Sequence, residues 1–156
     1  LDELEKICDV YGHGEVASSV RCINIDDINR ISGYSFGDVE YRDNVVYDKF
    51  SYQVVSTVKQ TYGADDYSKY GRYANTIYAQ NRYWIATQAI DKETNPNTYS
   101  LAQYYSEYVS AFDLMKISRD GTITEQTDWA FVSPVVSIKS DATVQKNEKG
   151  LYVIKP

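Results

Sequence analysis

The chain has 156 residues, a net charge of −6, one His and two Cys, and 16 Tyr against 2 Trp and 4 Phe. That length suits one domain with a core of its own, and the acidic balance argues against nucleic acid, whose binding needs a basic footprint. No apolar run reaches the length of a membrane-spanning helix, and one His with two Cys leaves few ligands for a zinc site.

Asp2 to Tyr11 reads as a short helix. Leu4, Ile7 and Val10 or Tyr11 recur at helical spacing, and acidic residues crowd the first turn, where the helix dipole favours them. Gly12 and Gly14 end it, with His13 as a loop residue between them. Val20 to Ile25 reads as a brief strand. Asn24 or Asp26 then caps a second helix to about Ser32, with Ile25, Ile28 and Ile31 as its apolar stripe and Gly33 as the left-handed residue after its end. Asp26-Asp27 could pass for a carboxylate site, but acids at a helix start are expected to cap it. Val39 to Tyr47 reads as a hairpin with Arg42-Asp43-Asn44 at its tip. Phe50 to Val58 alternates at Phe50, Tyr52 and Val54 and then loses its period. Lys59 to Arg82, with Tyr62, Tyr67, Tyr70, Tyr73 and Tyr78 among small polar residues, has none, and belongs to a loop-rich insert over about 36–82.

Tyr83-Trp84-Ile85-Ala86 is a β-prone run, with Trp84 expected in the core. Asp91 to Thr98 reads as a surface loop around Asn95-Pro96-Asn97. Tyr99 to Ser110, with Leu101, Tyr104, Tyr105 and Tyr108, reads as either a short helix or a Tyr-lined loop. Phe112 to Ser118 and Thr122 to Thr124 flank Arg119-Asp120-Gly121, a hairpin signal. Val132, Pro134, Val136 and Ile138 alternate with Ser133, Val135, Ser137 and Lys139, a strand with one apolar face and an edge or bulge at Pro134. A last strand, Leu151 to Ile154, follows a turn at Glu148-Lys149-Gly150. No linker divides the chain, so one domain over 1–156 is expected.

Sixteen Tyr cannot all be core. A Tyr-rich surface gives contact area at low entropy cost, as binding faces do, although a β-rich domain can also use Tyr on exposed strands. Cys8 and Cys22 are expected to form a disulfide in an oxidising compartment, contributing ~3 kcal/mol in the chain-entropy account; otherwise they are two buried thiols. Enzymatic motifs are missing: there is no Gly-rich phosphate loop, no Gly-x-Ser-x-Gly elbow and no His-Glu-x-x-His. A triad would have to use His13. No catalysis and no cofactor are expected.

The order Tyr83-Trp84-Ile85-Ala86-Thr87, Ala111-Phe112-Asp113-Leu114, Gly121-Thr122-Ile123 and Val132-Ser133-Pro134-Val135-Val136 resembles bacterial and phage C-type-lectin-like modules. These occur in surface proteins, in phage tail tips and among the variable proteins of diversity-generating retroelements. Val135 to Ser140 and Val20 to Tyr34 look closest to clostridial modules, some of which follow a prepilin-like helix. The likeness is strong from Tyr83 onward and hardly reaches 36–82. Where that family carries Arg before the Pro, this chain has Ser133.

The resemblance implies an α+β, C-type-lectin-like fold: short N-terminal helices, a mixed, mainly antiparallel sheet and long loops. It implies a non-catalytic ligand-binding or adhesion module outside the cell, on a cell surface or virion, with a protein or glycan target and an upstream membrane anchor or prepilin helix. A start at Leu1 fits a processed or truncated ectodomain. Oxidases of similar fold that generate formylglycine use paired cysteines in the C-terminal half, where this chain has none. The expected ligand-binding residues are Gln88, Tyr99, Tyr104, Tyr105, Tyr108, Glu125, Gln126, Asp128 and Trp129. Asn95-Pro96-Asn97 has the shape of a calcium-lectin triplet, but Glu93 is the one nearby carboxylate and Asp128-Trp129 only faintly echoes the partner motif, so a Pro turn without metal is expected. The alternative is a structural pilin-like or fibre subunit, its helix Asp2 to Tyr11 continuing an upstream helix.

Overall fold

The computed structural model describes residues 1–12, 14–54, 57, 82–93, 95–105, 108–111, 115–118, 123–126 and 130–156. His13, the stretch 59–81, the hairpin tip 119–122, and Asp128 and Trp129 lie outside the described residues. In chain order the elements are helix α1 (Asp2–Asp9) with a 3₁₀ turn at Val10–Gly12, strand β1 (Ala17–Cys22), helix α2 (Ile25–Ser32), then β2 (Tyr41–Arg42), β3 (Val45–Val46), β4 (Ser51–Gln53), β5 (Arg82–Asp91) and β6 (Asn95–Tyr105). They continue with β7 (Tyr108–Ser110), β8 (Met115–Ser118), β9 (Ile123–Gln126), β10 (Phe131–Val132), β11 (Pro134–Ile138), β12 (Thr143–Lys146) and β13 (Tyr152–Lys155). This is an α+β chain of two short helices and a mixed, mostly antiparallel sheet; the parallel pairings among the described residues are β3 with β5 and β10 with β5. Two compact units result: Ile23–Val132, and the two chain ends Leu1–Cys22 and Ser133–Pro156.

In the central unit, local sequence dictates α2. The Asn24 side chain accepts the Asp27 N–H at 3.1 Å, and Asp27 Oδ2 accepts the Asn24 N–H at 3.1 Å. This reciprocal cap stabilises the helix start by about 1 kcal/mol. Gly33 ends the helix with φ 75°, where a side chain would be strained. Ile25 and Ile28 are fully buried. Asp27 therefore serves the cap, as expected, while Asp26 Oδ2 accepts the Tyr41 hydroxyl at 3.0 Å. The Ile25 N–H donates to Thr87 Oγ1 at 3.0 Å and the Ala86 N–H to the Ile23 carbonyl at 2.8 Å, which seats the helix start against β5.

Strands β2 and β3 form the expected hairpin, its turn reduced to Asp43-Asn44 with φ 52° and 60°. Positive φ at both turn residues matches the twist of the flanking strands. The sheet runs β2-β3-β5-β6-β7-β4, with β10 beside β5 and β8–β9 continuing from β6. The sequence expectations fail in the middle of it. Asn95-Pro96-Asn97 opens β6 instead of forming a Pro turn, and Tyr99 to Tyr105 and Tyr108 to Ser110 lie in strands rather than in a helix or loop. Leu101 to Tyr104 are buried on both sides of the sheet, so the run shows no apolar–polar alternation to read.

Successive strand residues face opposite ways, and directly paired residues share a face. One row across four strands is Tyr52, Val109, Tyr104 and Tyr83, all buried. Tyr83 and Tyr104 stack with centroids 4.9 Å apart, and Tyr34 stacks on Tyr52 at 3.7 Å. Phe36 meets both Tyr34 and Phe50 edge-on at 5.3 Å. Each such pair adds ~0.5–1.5 kcal/mol beyond burial. The Tyr52 hydroxyl donates to Asn29 Oδ1 at 2.5 Å, tying this layer to α2. Burial raises the pKa of Tyr52 and Tyr34; burial and then the Asp26 carboxylate raise that of Tyr41.

In the second unit, β1 pairs antiparallel with β11, from Cys22↔Pro134 to Ala17↔Ile138, with an irregularity between Ala17 and Ser19. The strand expected at Val20 to Ile25 thus begins earlier and stops at Cys22, because Asn24 is taken by the α2 cap. Pro134 lies at the end of a two-stranded ladder, an edge setting that suits it. The apolar face expected along Val132 to Ile138 is interrupted: Ser133 separates β10 from β11, and Val136 and Ile138 are exposed. On α1 the buried side chain is Cys8, while Ile7 of the expected stripe is exposed. The Cys8 and Cys22 sulfurs lie 2.6 Å apart and both thiols are free, where a disulfide was expected. The last strand, β13, pairs with β12, a strand with no counterpart among those the sequence predicts, in a hairpin exposed along its whole length.

Candidate functional site

Opposite the buried Tyr52–Tyr83 row, the same four strands present a different surface. Gln53 pairs with Tyr108, Tyr108 with Tyr105, and Tyr105 with Arg82, so β4, β7, β6 and β5 each place one residue in a single row. The next row on that face is Ser51, Ser110, Gln103 and Trp84. Tyr105 and Tyr108 are each 47% exposed, although both belong to the sheet and not to a loop. The Arg82 guanidinium lies 4.1 Å from the Tyr105 ring centroid. A cation held there stabilises the ring's position by ~0.5–1 kcal/mol at an exposed site.

Beneath this row sits an orphan. Gln103 is fully buried, and among the described residues neither its Nε2 nor its Oε1 has a hydrogen-bond partner. Trp84, its neighbour on β5, is buried, as the sequence led one to expect. A desolvated amide without partners costs ~1–3 kcal/mol for each unsatisfied group. Such a residue marks a place where the packing does not maximise stability.

The structure brings some of the expected ligand residues together and separates others. Tyr105 and Tyr108 are paired neighbours in the exposed row. Tyr99 and Gln88 are half-buried: Gln88 pairs with Leu101, two residues along β6 from Gln103, and Tyr99 lies two residues further. Tyr104 does not belong with them. It is 3% exposed and stacked on Tyr83 in the core face, because it stands an odd number of positions from both Tyr99 and Tyr105. Glu125 and Gln126 fall on β9, in register with Lys116 and Met115 of β8. Asp128 and Trp129 lie outside the described residues.

Arg82, Gln53, Gln103, Ser110 and Ser51 are the members of this face that the sequence did not point to. Gln53 and Arg82 are 29 positions apart (82 − 53), and only the strand register joins them. The signal that could have found Arg82 is its place beside Tyr83-Trp84: the residue before a strongly buried β run is the first free to face out.

A second group of charges lies at the hairpin β2–β3. Lys92 Nζ and the Arg42 guanidinium lie 4.6 Å and 5.0 Å from the Tyr47 ring centroid, and both pair with Glu40, at 2.6 Å and 3.4 Å. The Lys92 hydrogen bond holds the Glu40 carboxyl below its ordinary range. Glu40 offsets part of this positive charge, and the cluster is a solvated brace between the hairpin and the β5–β6 turn. Among the described residues no three His, Cys, Asp or Glu side chains gather as a metal site. The face of Gln53, Tyr108, Tyr105 and Arg82 offers π surface, a cation and an amide, which suit stacking and hydrogen bonding. No family model, curated protein or solved structure matches the chain.

Proposed function

We propose that the chain is a non-catalytic ligand-binding module of C-type-lectin-like fold, displayed outside the cell or on a virion, which grips a protein or glycan through the sheet face of Gln53, Arg82, Tyr105 and Tyr108. The observation that carries this reading is the alignment of those four residues in one register row, with two tyrosines left half-exposed on rigid strands. Rigid aromatic anchors with a cation and amides beside them make contacts at low entropy cost. The α+β architecture and the motif order from Tyr83 to Val136 support the fold assignment, and the Tyr-rich composition fits a scaffold of the retroelement-diversified kind. The single His and the missing nucleophile motifs support a role without catalysis. No helix among the described residues is long and apolar enough to cross a membrane, and an upstream anchor or prepilin helix would supply attachment.

The test is a glycan array and a display library of surface proteins, each probed with the wild-type chain and with the Tyr105→Ser/Tyr108→Ser variant. A set of targets lost by the variant supports the reading. Identical profiles for the two proteins refute it.

A structural, self-assembling subunit is the second reading, favoured by the second unit. There Ile7, Val10 and Tyr11 and the β12–β13 residues Val144, Leu151 and Tyr152 are exposed, and an isolated two-stranded hairpin is marginal in water. Sedimentation over a wide concentration range separates the readings: self-association that Val144→Lys/Tyr152→Lys abolishes supports assembly, and a monomer throughout excludes it.

A further inference from the structure

Helix α1 has a single buried side chain, Cys8, and exposes Ile7. The described hydrogen bonds between α1 and β1 meet at one residue. Cys22 places its sulfur 2.6 Å from that of Cys8, donates its S–H to the Leu4 carbonyl at 3.2 Å, and donates its N–H to Glu5 Oε2 at 3.0 Å. Leu4, Glu5 and Cys8 thus form the face by which α1 is held, and Cys22 meets all three.

We infer that Cys8 and Cys22 are a reversible dithiol–disulfide pair whose oxidation locks α1 onto β1 and whose reduction lets the helix lift. A small-molecule disulfide such as oxidised glutathione is the oxidant. One cysteine attacks a glutathione sulfur, and the departing glutathione takes up the proton that this cysteine loses. The second cysteine then attacks the mixed disulfide, gives up its own proton, and releases the second glutathione as thiol. Two protein thiols are oxidised to one disulfide while one glutathione disulfide is reduced to two thiols.

Geometry imposes an order on these steps. Cys8 and Cys22 are 0% and 1% exposed, so no outside disulfide can reach either sulfur while α1 is docked. Burial also raises both thiol pKa values, which leaves the docked pair protonated and inert. The first attack belongs to the lifted helix, and ring closure follows when docking returns the sulfurs to contact. The pair is then oxidised on export to an oxidising compartment and stays reduced in a glutathione-buffered one.

The experiment uses the full chain equilibrated in oxidised or reduced glutathione, then denatured, alkylated and weighed, with amide exchange followed from Lys6 to Asp9. In oxidised buffer the intact mass should fall by two hydrogens with neither cysteine alkylated, and α1 exchange should slow about a hundredfold relative to the reduced chain. Persistent glutathione adducts, or two alkylated thiols in oxidised buffer, would overturn the pairing. Equal α1 exchange in the two states would overturn the lock even if the disulfide forms. Neither outcome depends on the binding face, which lies in the other unit.

Discussion

Tyr104 and Tyr105 are adjacent in sequence and opposite in role. Tyr104 is 3% exposed and stacks on Tyr83; Tyr105 is half-exposed beneath the Arg82 guanidinium. Tyr104→Ala should therefore lower the unfolding free energy by ~3–5 kcal/mol, in the range of other large buried aromatics. Tyr105→Ala should cost no more than ~1 kcal/mol, the scale of the exposed cation–π contact it loses. Urea unfolding of the two variants checks the pair, and equal losses would contradict the assignment of faces. Gln103 carries a third expectation. Because its buried amide has no partner among the described residues, Gln103→Met should raise stability by ~1–2 kcal/mol, and a thermal melt reads the sign. A less stable Gln103→Met variant would mean that the amide is hydrogen-bonded. A more stable one with weaker target binding would place the cost of that amide in the service of function.

Elements differ in how openly the sequence declares them. Helix α2 was legible because every local signal agrees: the isoleucine stripe, the Asn24/Asp27 cap and Gly33 at a positive φ. Asn24→Ala should accordingly cost ~1 kcal/mol in chemical denaturation, since it strands the Asp27 N–H. The β2–β3 hairpin was legible for the same reason, its turn chemistry being local. Strands β6 and β7 were not. Leu101 to Tyr104 are covered on both faces, which erases the period of two, and the Tyr-rich run then suits a helix or a loop equally well. The candidate site suffers most from this. Tyr105 and Tyr108 stand out as aromatic, but Gln53 and Arg82 join them only through pairings that residue spacing does not encode.

The layer between α2 and β4 also sets a pH response. Burial holds the Tyr34, Tyr41 and Tyr52 phenols above their ordinary pKa of 10.0, the Asp26 carboxylate adding to the effect at Tyr41. Below that pH all three are neutral in the folded and unfolded chains and stability is unaffected. As pH rises past it, the unfolded chain loses these protons first, the folded state binds more protons than the unfolded, and stability falls. Melting temperature should hold steady to about pH 9 and drop above about pH 10, with a shallower drop in Tyr52→Phe. An unchanged slope in that variant would show that other groups govern alkaline unfolding.

At the scale of the whole molecule, the two units divide the work proposed for the chain. The central unit builds a sheet that is buried on one face along the Tyr52–Tyr83 row and on the other presents a row of Gln, Tyr, Tyr and Arg beside the buried Gln103 and Trp84. The terminal unit carries the cysteine pair and the exposed hairpin β12–β13. In the proposed reading, recognition belongs to the central unit and attachment or assembly to the terminal one. The measurement that tests the recognition claim most directly is target affinity for the single variants Gln53→Ala, Arg82→Ala, Tyr105→Ala and Tyr108→Ala beside Tyr152→Ala on the 75%-exposed hairpin residue. Tyr105→Ala and Tyr108→Ala should each lose about tenfold or more in affinity, with Arg82→Ala and Gln53→Ala weakened less and Tyr152→Ala unchanged. Wild-type affinity in all four row variants, with binding lost in Tyr152→Ala, would contradict that claim.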